Sequence, residues 1–411
     1  MDISIKKSKL TSHQNIQITG SKSESNRLLL LQALYPQIQI ENVSNSDDSA
    51  LMQQALNSQE ELIDIHHAGT AMRFLTAYFS IQNNREVIIT GSSRMKERPI
   101  KILVDALTAL GADITYLEND GFPPLKIKGR HLKKSKVSLE AHVSSQYISA
   151  LLLIASQLEN GLELILEGKI TSVPYIKMTL TLLNSIGVET SFINNTITVK
   201  PNAVEIKPQK LTVESDWSSA SYFYSVIALS DLGSEITINS YNKNSLQGDS
   251  VLASIYKNFG VTTTFLEHSI ILQKTSTISD KSSVELNLSN APDIAQTIAV
   301  TAFGLGLECY MTGLHTLKIK ETDRLVALKT EIEKLGGDVA ITEASLHLKS
   351  AKGINDNVSI STYNDHRMAM AFAPLALKVP IIINNADVVS KSYPQFWEDF
   401  KTIGFSINKV L

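Results

Sequence analysis

Cations in this sequence gather at one kind of place. In "TGSKSESNR" (residues 19–27), Lys22 and Arg27 stand among small polar residues just ahead of four leucines. That is a strand end, a turn and a helix start, with Ser21 or Ser23 able to cap the helix. Free backbone N–H groups and the helix dipole make such a start an anion site. One instance alone reads better as a capped helix with solvated charges; its recurrence along the chain favours the anion site. "HAGTAMRF" (67–74) puts Gly69 and Thr70 at a helix start with Arg73 one turn in. "SSRMKERP" (92–99) carries Arg94, Lys96 and Arg98 ahead of Pro99, a favoured first helical residue. "VSSQ" (143–146) offers Ser144, Ser145 and Gln146. "KIKETDRL" (318–325) holds Lys320, Glu321 and Arg324; "YNDHRMAM" (363–370) holds Asp365, His366 and Arg367; Lys391 precedes an aromatic helix.

Charges on a solvated helix face mix signs. Here they sit at helix starts beside small residues, so the expectation is a cationic cleft for small phosphates and carboxylates. Each charge-assisted hydrogen bond is worth about 1.5–3 kcal/mol. Local sequence reads Asp293, after Pro292, and Asp365 as helix caps, and His366 as a polar neighbour. The histidines lack metal-ligand spacing. No P-loop, G-x-G-x-x-G or G-x-S-x-G motif is present.

The elements that must position these groups are repeated. "LTALGADITYL" (107–117), "LLNSIGVETSF" (182–192), "IYKNFGVTTTF" (255–265), "EIEKLGGDVAI" (331–341) and "DFKTIGFSINK" (399–409) each run a helical stripe into Gly and then alternate as a strand does. Gly111, Gly187, Gly260, Gly336 and Gly404 sit where a helix needs a left-handed C-terminal residue. The repeat is an α/β module of roughly 70 residues. A sixth copy is expected near 45–65, truncated, because its helix leads almost directly into the next segment. Asn194-Asn195 marks a hairpin.

The chain has 411 residues, more than one core usually serves. Six modules then suggest two domains of three, with residues 1–20 joined to 214–411 and residues 21–213 forming the other. Hinge crossings fall near Gly20 and Ser215. Net charge is −3, which disfavours a general nucleic-acid partner. Cys309 is the only cysteine, so no intrachain disulfide forms. The longest apolar stretches, such as "ISALLLIA" (148–155), fall far short of the roughly 18 residues of a membrane span. The plain expectation is a soluble, cytoplasmic protein with no membrane partner.

Together "GSKSESNR", "AGTAMR", "RMKERP", "VSSQ", "SVPY", "SDWSSASYF", "PDIAQTIA", "KIKETDRL", "YNDHRMAM" and "KSYP" resemble the 5-enolpyruvylshikimate-3-phosphate synthase family, in family order and over nearly the whole chain. The resemblance implies an α/β (α+β) fold of two similar domains, each of three β-α-β-α-β-β units in an inside-out α/β barrel, the first unit shortened. It implies transfer of the enolpyruvyl group of phosphoenolpyruvate to the 5-hydroxyl of shikimate 3-phosphate, through a tetrahedral intermediate, with release of phosphate. No metal or organic cofactor is implied, and the expected state is a monomer.

By the same resemblance Lys22, Asp293, Glu321 and His366 are catalytic, with Asp293 the base toward the hydroxyl and Lys22 and Glu321 sharing the proton transfers at carbon. Lys22, Ser23, Arg27, Ser144, Ser145, Gln146, Ser172, Tyr175, Asp293, Thr316 and Lys320 would hold shikimate 3-phosphate. Lys22, Gly69, Arg98, Gln146, Arg324, Arg367 and Lys391 would surround phosphoenolpyruvate, and closure of the domains would bring the two sets together. His67 stands where the family usually has Asn, Phe74 where Pro often follows the arginine, and Thr316 and Lys318 where Asn and Arg occur. Three rival readings fare worse. A transferase acting on a UDP-sugar would use a loop cysteine, which the apolar setting of Cys309 disfavours. A non-catalytic binder would have lost Lys22, Asp293 or Glu321. A nucleic-acid-end enzyme would carry an aromatic-basic stripe.

Overall fold

A computed structural model of the protein describes residues 1–141, 144–201, 206–278 and 283–410. Among these residues are five four-stranded sheets and one two-stranded pair. The four-stranded sheets share one plan. In one, Leu62–Asp64 runs parallel to Glu86–Thr90, which pairs antiparallel with Leu125–Lys128 and, through it, with Asp113–Tyr116. A parallel pair needs a crossover, and the helix Gly69–Ser80 supplies it. The antiparallel pair closes by a short loop. The result is a β-α-β-α-β-β unit, repeated in the sheet of Lys136–Glu140, Leu162–Glu167, Thr196–Val199 and Thr190–Ile193 and in that of Ser283–Asn287, Glu308–Thr312, Ser345–Leu348 and Val339–Ile341.

The chain divides into two compact units, Met1–Thr19 with Glu214–Leu411, and Gly20–Val213. In the second unit the shortened copy is plain. Ile38–Glu41 pairs in parallel with Gln209–Thr212, and the helix Asp47–Asn57 passes almost at once into Leu62–Asp64, with no antiparallel pair between. In the first unit, residues 1–18 form two strands. Ile3–Ile5 lies between Ile381–Ile383 and Ile407–Lys409, while Gln14–Gln17 runs beside Glu235–Asn239 in another sheet.

Some helices are buried on every side, while strands keep one wetter face. Every residue of Gly69–Ser80, Trp217–Leu229 and His366–Phe372 is buried, Arg73, His366 and Arg367 among them. Leu162–Glu167 alternates buried and half-buried residues, as a sheet with one wet face does. The five repeat glycines all take left-handed backbone, with φ of 112°, 96°, 76°, 97° and 104° in chain order. A side chain there costs about 1–2 kcal/mol before any clash. A Cβ on Gly187 would meet nothing within 4 Å, whereas one on Gly404 would lie 2.5 Å from the Lys9 carbonyl oxygen and 3.1 Å from the Thr11 nitrogen. Gly187→Ala is therefore expected to lower the melting temperature by about 2–4 °C and Gly404→Ala by clearly more. Thermal melts of the two variants check the order; equal losses would contradict it.

Candidate active site

The second unit brings several of its helix starts together. Arg27, one turn into Lys22–Leu34, is 2% exposed and donates from Nε to Thr179 Oγ1 at 2.8 Å and from Nη2 to Ser149 Oγ at 2.9 Å. It also donates to the backbone carbonyls of Ser23 at 2.6 Å and Tyr175 at 3.4 Å. Its guanidinium carbon lies 5.4 Å from the centre of the Phe74 ring and 5.9 Å from that of Tyr175. Thr179, Ser149 and Phe74 each lie in the first two turns of their own helices, Val173–Ser185, Ser145–Ala155 and Gly69–Ser80. The starts of several helices meet: Gln146 and Thr70, each the second residue of its helix, are hydrogen-bonded, and Lys22, the first residue of its helix, pairs with Asp48, the second of its own, so positive dipole ends gather at one side of the unit. Burial pushes the Arg27 pKa down to about 10, which leaves it charged at neutral pH.

Around that end the expected residues gather. Lys22 Nζ lies 3.3 Å from Asp48 Oδ2, and His67 Nε2 lies 3.7 Å from the other oxygen of the same buried carboxylate. Ser21 holds the cap position of its helix but makes no capping bond, and its buried hydroxyl has no hydrogen-bond partner. Ser144 does cap, accepting from the Gln146 N–H at 3.2 Å. The Gln146 side chain donates to Thr70 Oγ1 at 3.1 Å. Ser145 is buried beside it. Ser172 takes a left-handed φ of 53° at the start of Val173–Ser185 and makes no capping bond. A buried serine held in a sparsely populated conformation at a helix start is the kind of strain that binding sites retain. Gly69 is where Arg98 crosses a helix start: a Cβ there would fall within 2.8 Å of the Arg98 guanidinium carbon. Arg98 is 9% exposed and its Nε has no hydrogen-bond partner. Arg73, by contrast, is occupied by the protein, donating to the Gly69 and Pro99 carbonyls. Pro99 does not open a helix as the sequence suggested; Ile100 occupies the cap position and the helix is Lys101–Leu110, because the 93–96 turn already spends the preceding residues.

The first unit builds a denser cluster around Asp293. This residue does not cap a helix; it lies in a single turn, Pro292–Ile294, ahead of Ala295–Gly304. Its Oδ1 meets Arg324 Nη1 at 3.0 Å and Lys320 Nζ at 3.4 Å, and its Oδ2 meets Arg367 Nη2 at 3.4 Å. Arg324 is 1% exposed and also holds Glu321 at 2.7 Å and Asp365 at 2.6 Å. Asp365 has two tasks, since it caps His366–Phe372 by accepting from the Arg367 N–H at 2.9 Å. His366, the first residue of that helix, is buried. Lys391 donates to the Asn364 carbonyl at 2.7 Å, on the loop just before Asp365. Thr316 is buried with its hydroxyl unpartnered.

Electrostatics follow from this packing. Burial alone would raise the Asp293 pKa, but Lys320, Arg367 and Arg324 outweigh it and hold the carboxyl well below the usual carboxylate range. Burial pulls the Lys320 pKa down against the opposing charge of Asp293. Arg324 and Arg367 are held fully charged by their carboxylate partners. The cluster presents cations already desolvated and oriented by close carboxylates, so an incoming anion meets prepared charge. Cys309 is fully buried in the strand Glu308–Thr312, and burial pushes its thiol up to about 12, which disqualifies it as a nucleophile or acid.

Sequence reading misses Asp48, Ser218 and Asp249. "NSDDSAL" looks like an ordinary acidic helix start, and only the fold brings Asp48 to Lys22. "SDWSSASYF" stands out as a motif, but nothing local gives its Ser218 a role.

A model of the EPSP synthase (3-phosphoshikimate 1-carboxyvinyltransferase) family matches residues 54–400. The chain is 46% identical over 397 residues to a 3-phosphoshikimate 1-carboxyvinyltransferase of Bacteroides fragilis, covering 95% of each protein. It is 36% identical to one of Haemophilus influenzae, over 94% of this chain and 96% of that one. Among solved structures, an EPSP synthase from Acinetobacter baumannii superposes with a TM-score of 0.79 at 20% identity, covering 99% of this chain and all of that one.

Because the Arg98 guanidinium is the flexible end of a side chain, Gly69→Ala is expected to keep its melting temperature within about 2 °C of the parent while displacing Arg98. Titration with inorganic phosphate should then show affinity weakened by about tenfold, the loss of one charge-assisted contact. Unchanged phosphate affinity would separate Arg98 from anion binding.

Proposed function

The chain belongs to the EPSP synthase family and catalyses transfer of the enolpyruvyl group of phosphoenolpyruvate to the 5-hydroxyl of shikimate 3-phosphate, in the shikimate pathway to chorismate and the aromatic amino acids; from that premise we propose how its residues divide the work. The single observation that carries this reading is Asp293, one buried carboxylate held by Lys320, Arg324 and Arg367.

In the first step the 5-hydroxyl oxygen bonds to C2 of phosphoenolpyruvate, its proton leaves, and C3 gains a proton. The product is a tetrahedral intermediate. In the second, C2–O(phosphate) breaks, phosphate leaves, and C3 returns a proton. Asp293 takes the hydroxyl proton. At rest its three cations suppress its basicity; anionic substrate groups bound at Arg324 and Arg367 compete for those cations and raise it. Lys22 and Glu321 carry the proton to and from C3, and His366 is a further proton donor. Each such group contributes about 10²–10⁴-fold.

Binding is divided in the same spirit. Ser144, Ser145 and Ser172, at two helix starts, take the phosphate of shikimate 3-phosphate. Ser23, Arg27, Gln146, Tyr175, Thr316 and Lys320 orient its ring, carboxylate and hydroxyls. Arg27 does so largely by fixing Ser23 and Tyr175, to whose carbonyls it is bonded. Phosphoenolpyruvate is held by Lys22, Gly69, Arg98, Gln146, Arg324, Arg367 and Lys391, where guanidinium forks suit planar and tetrahedral oxyanions. We further read the protein as a cytoplasmic monomer. No helix among the described residues is long and apolar enough to cross a membrane.

Phosphate release should require both substrates. Asp293→Asn is expected to lower kcat by about 10²–10⁴-fold with the circular dichroism spectrum unchanged. Retention of full kcat would remove Asp293 from the chemistry. Cys309→Ser is expected to keep kcat within about twofold, a result a cysteine-dependent transferase would not give.

A further inference from the structure

Asp249 is a carboxylate that the chemistry above leaves unused. It lies in the turn Gly248–Val251, is 2% exposed, and accepts a hydrogen bond on Oδ2 from the Ser218 hydroxyl. Its Oδ1 is buried without a hydrogen-bond partner. Ser218 in turn accepts from Arg367 Nη2 at 3.3 Å, the same nitrogen that lies 3.4 Å from Asp293 Oδ2. A hydroxyl has one proton. Given to Asp249, it leaves the Ser218 lone pairs to receive Arg367, so the carboxylate fixes the direction of the relay.

We propose that Asp249 is a positioning residue: through the Ser218 hydroxyl it holds the Arg367 guanidinium, and by its own charge it sets how strongly Arg367 attracts phosphoenolpyruvate. This rests on the reading of Arg367 as a phosphoenolpyruvate ligand.

The charged groups that face Asp249 come from three elements: Asp293 from the turn Pro292–Ile294, Arg367 from the helix His366–Phe372, and Asp216 at the cap of Trp217–Leu229. From its own stretch comes only neutral Gln247, engaged with the Trp217 N–H and the Ser215 carbonyl. Burial, then the like charge of Asp293, pushes the Asp249 carboxyl up to about 7, against the pull of Arg367. Its charge therefore changes within the working range of most enzymes. Ionised, it offsets Arg367 and opposes an arriving anion. Neutral, it leaves the guanidinium charge to the ligand. By reciprocity, phosphoenolpyruvate bound at Arg367 favours the protonated form.

The test compares KM for phosphoenolpyruvate in the parent protein and in Asp249→Asn, a permanently neutral form, from about pH 5.5 to about pH 8.5. Taking the parent-to-variant ratio cancels the titration of the substrate's own phosphate. The ratio is expected to stay near one at the acid end and to rise about threefold to tenfold above neutrality, with the kcat ratio flat. A ratio independent of pH overturns the proposal. Ser218→Ala keeps the carboxylate and cuts the relay; it should raise KM for phosphoenolpyruvate by about threefold and leave KM for shikimate 3-phosphate unchanged. An unchanged phosphoenolpyruvate KM in that variant also overturns the proposal, and Ser218→Ala decides the matter alone if Asp249→Asn does not fold. Arg367→Gln separates the two levels. If it leaves the phosphoenolpyruvate KM untouched, the ligand assignment of Arg367 falls and this proposal with it. If it raises that KM while the other two variants match the parent, only this proposal falls.

Discussion

Burying Lys320, Arg324 and Arg367 near one another is the constraint from which the first unit is built. Each ion loses several kcal/mol of hydration on burial. Like charges at these distances also repel. What makes the arrangement stable is carboxylates held within reach: Asp293 touches all three cations, and Glu321 and Asp365 lie on Arg324. Pairing at rest is also what makes the site responsive. A small dianion entering such a cluster meets charge that has already been stripped of water, and the protein's own carboxylates change partners rather than the whole site reorganising.

The second unit solves a related problem with dipoles. Several of its helix starts meet, Lys22 against Asp48 and Gln146 against Thr70, so N-terminal turns share one end. Arg27 is the bolt of this arrangement. It is charged, buried, bonded to two other helices and stacked on a third, and its contacts with Phe74 and Tyr175 use the weak hydration of a guanidinium. A lysine there could not make the same set of bonds.

Much of this architecture is legible in the residues themselves. The five glycines announce five helix ends because no other residue takes a left-handed backbone without strain, and a repeat of that requirement is a repeat of the fold. Cations beside small residues announce helix starts for the same reason of local geometry. What stays hidden is whatever depends on distant packing. Arg27, Arg73 and Arg98 look alike in sequence, yet Arg73 is spent on the carbonyls of Gly69 and Pro99 while Arg98 keeps an unpartnered Nε. Asp293 and Asp365 both look like caps, and only Asp365 is one. Asp48 and Asp249 carry no local signal, since their partners lie on other elements brought near by the fold.

The first residues of the chain complete a sheet whose other strands are the last to be made. Ile3–Ile5 fits between Ile381–Ile383 and Ile407–Lys409. On the ribosome, at roughly 5–20 residues per second, that opening segment waits for tens of seconds before its neighbours emerge. Residues 20–213, a continuous stretch, can meanwhile fold as they appear. The order of translation thus gives the half with the converging dipoles a head start, and the half with the buried ion cluster completes this sheet only after Ile407–Lys409 has been made.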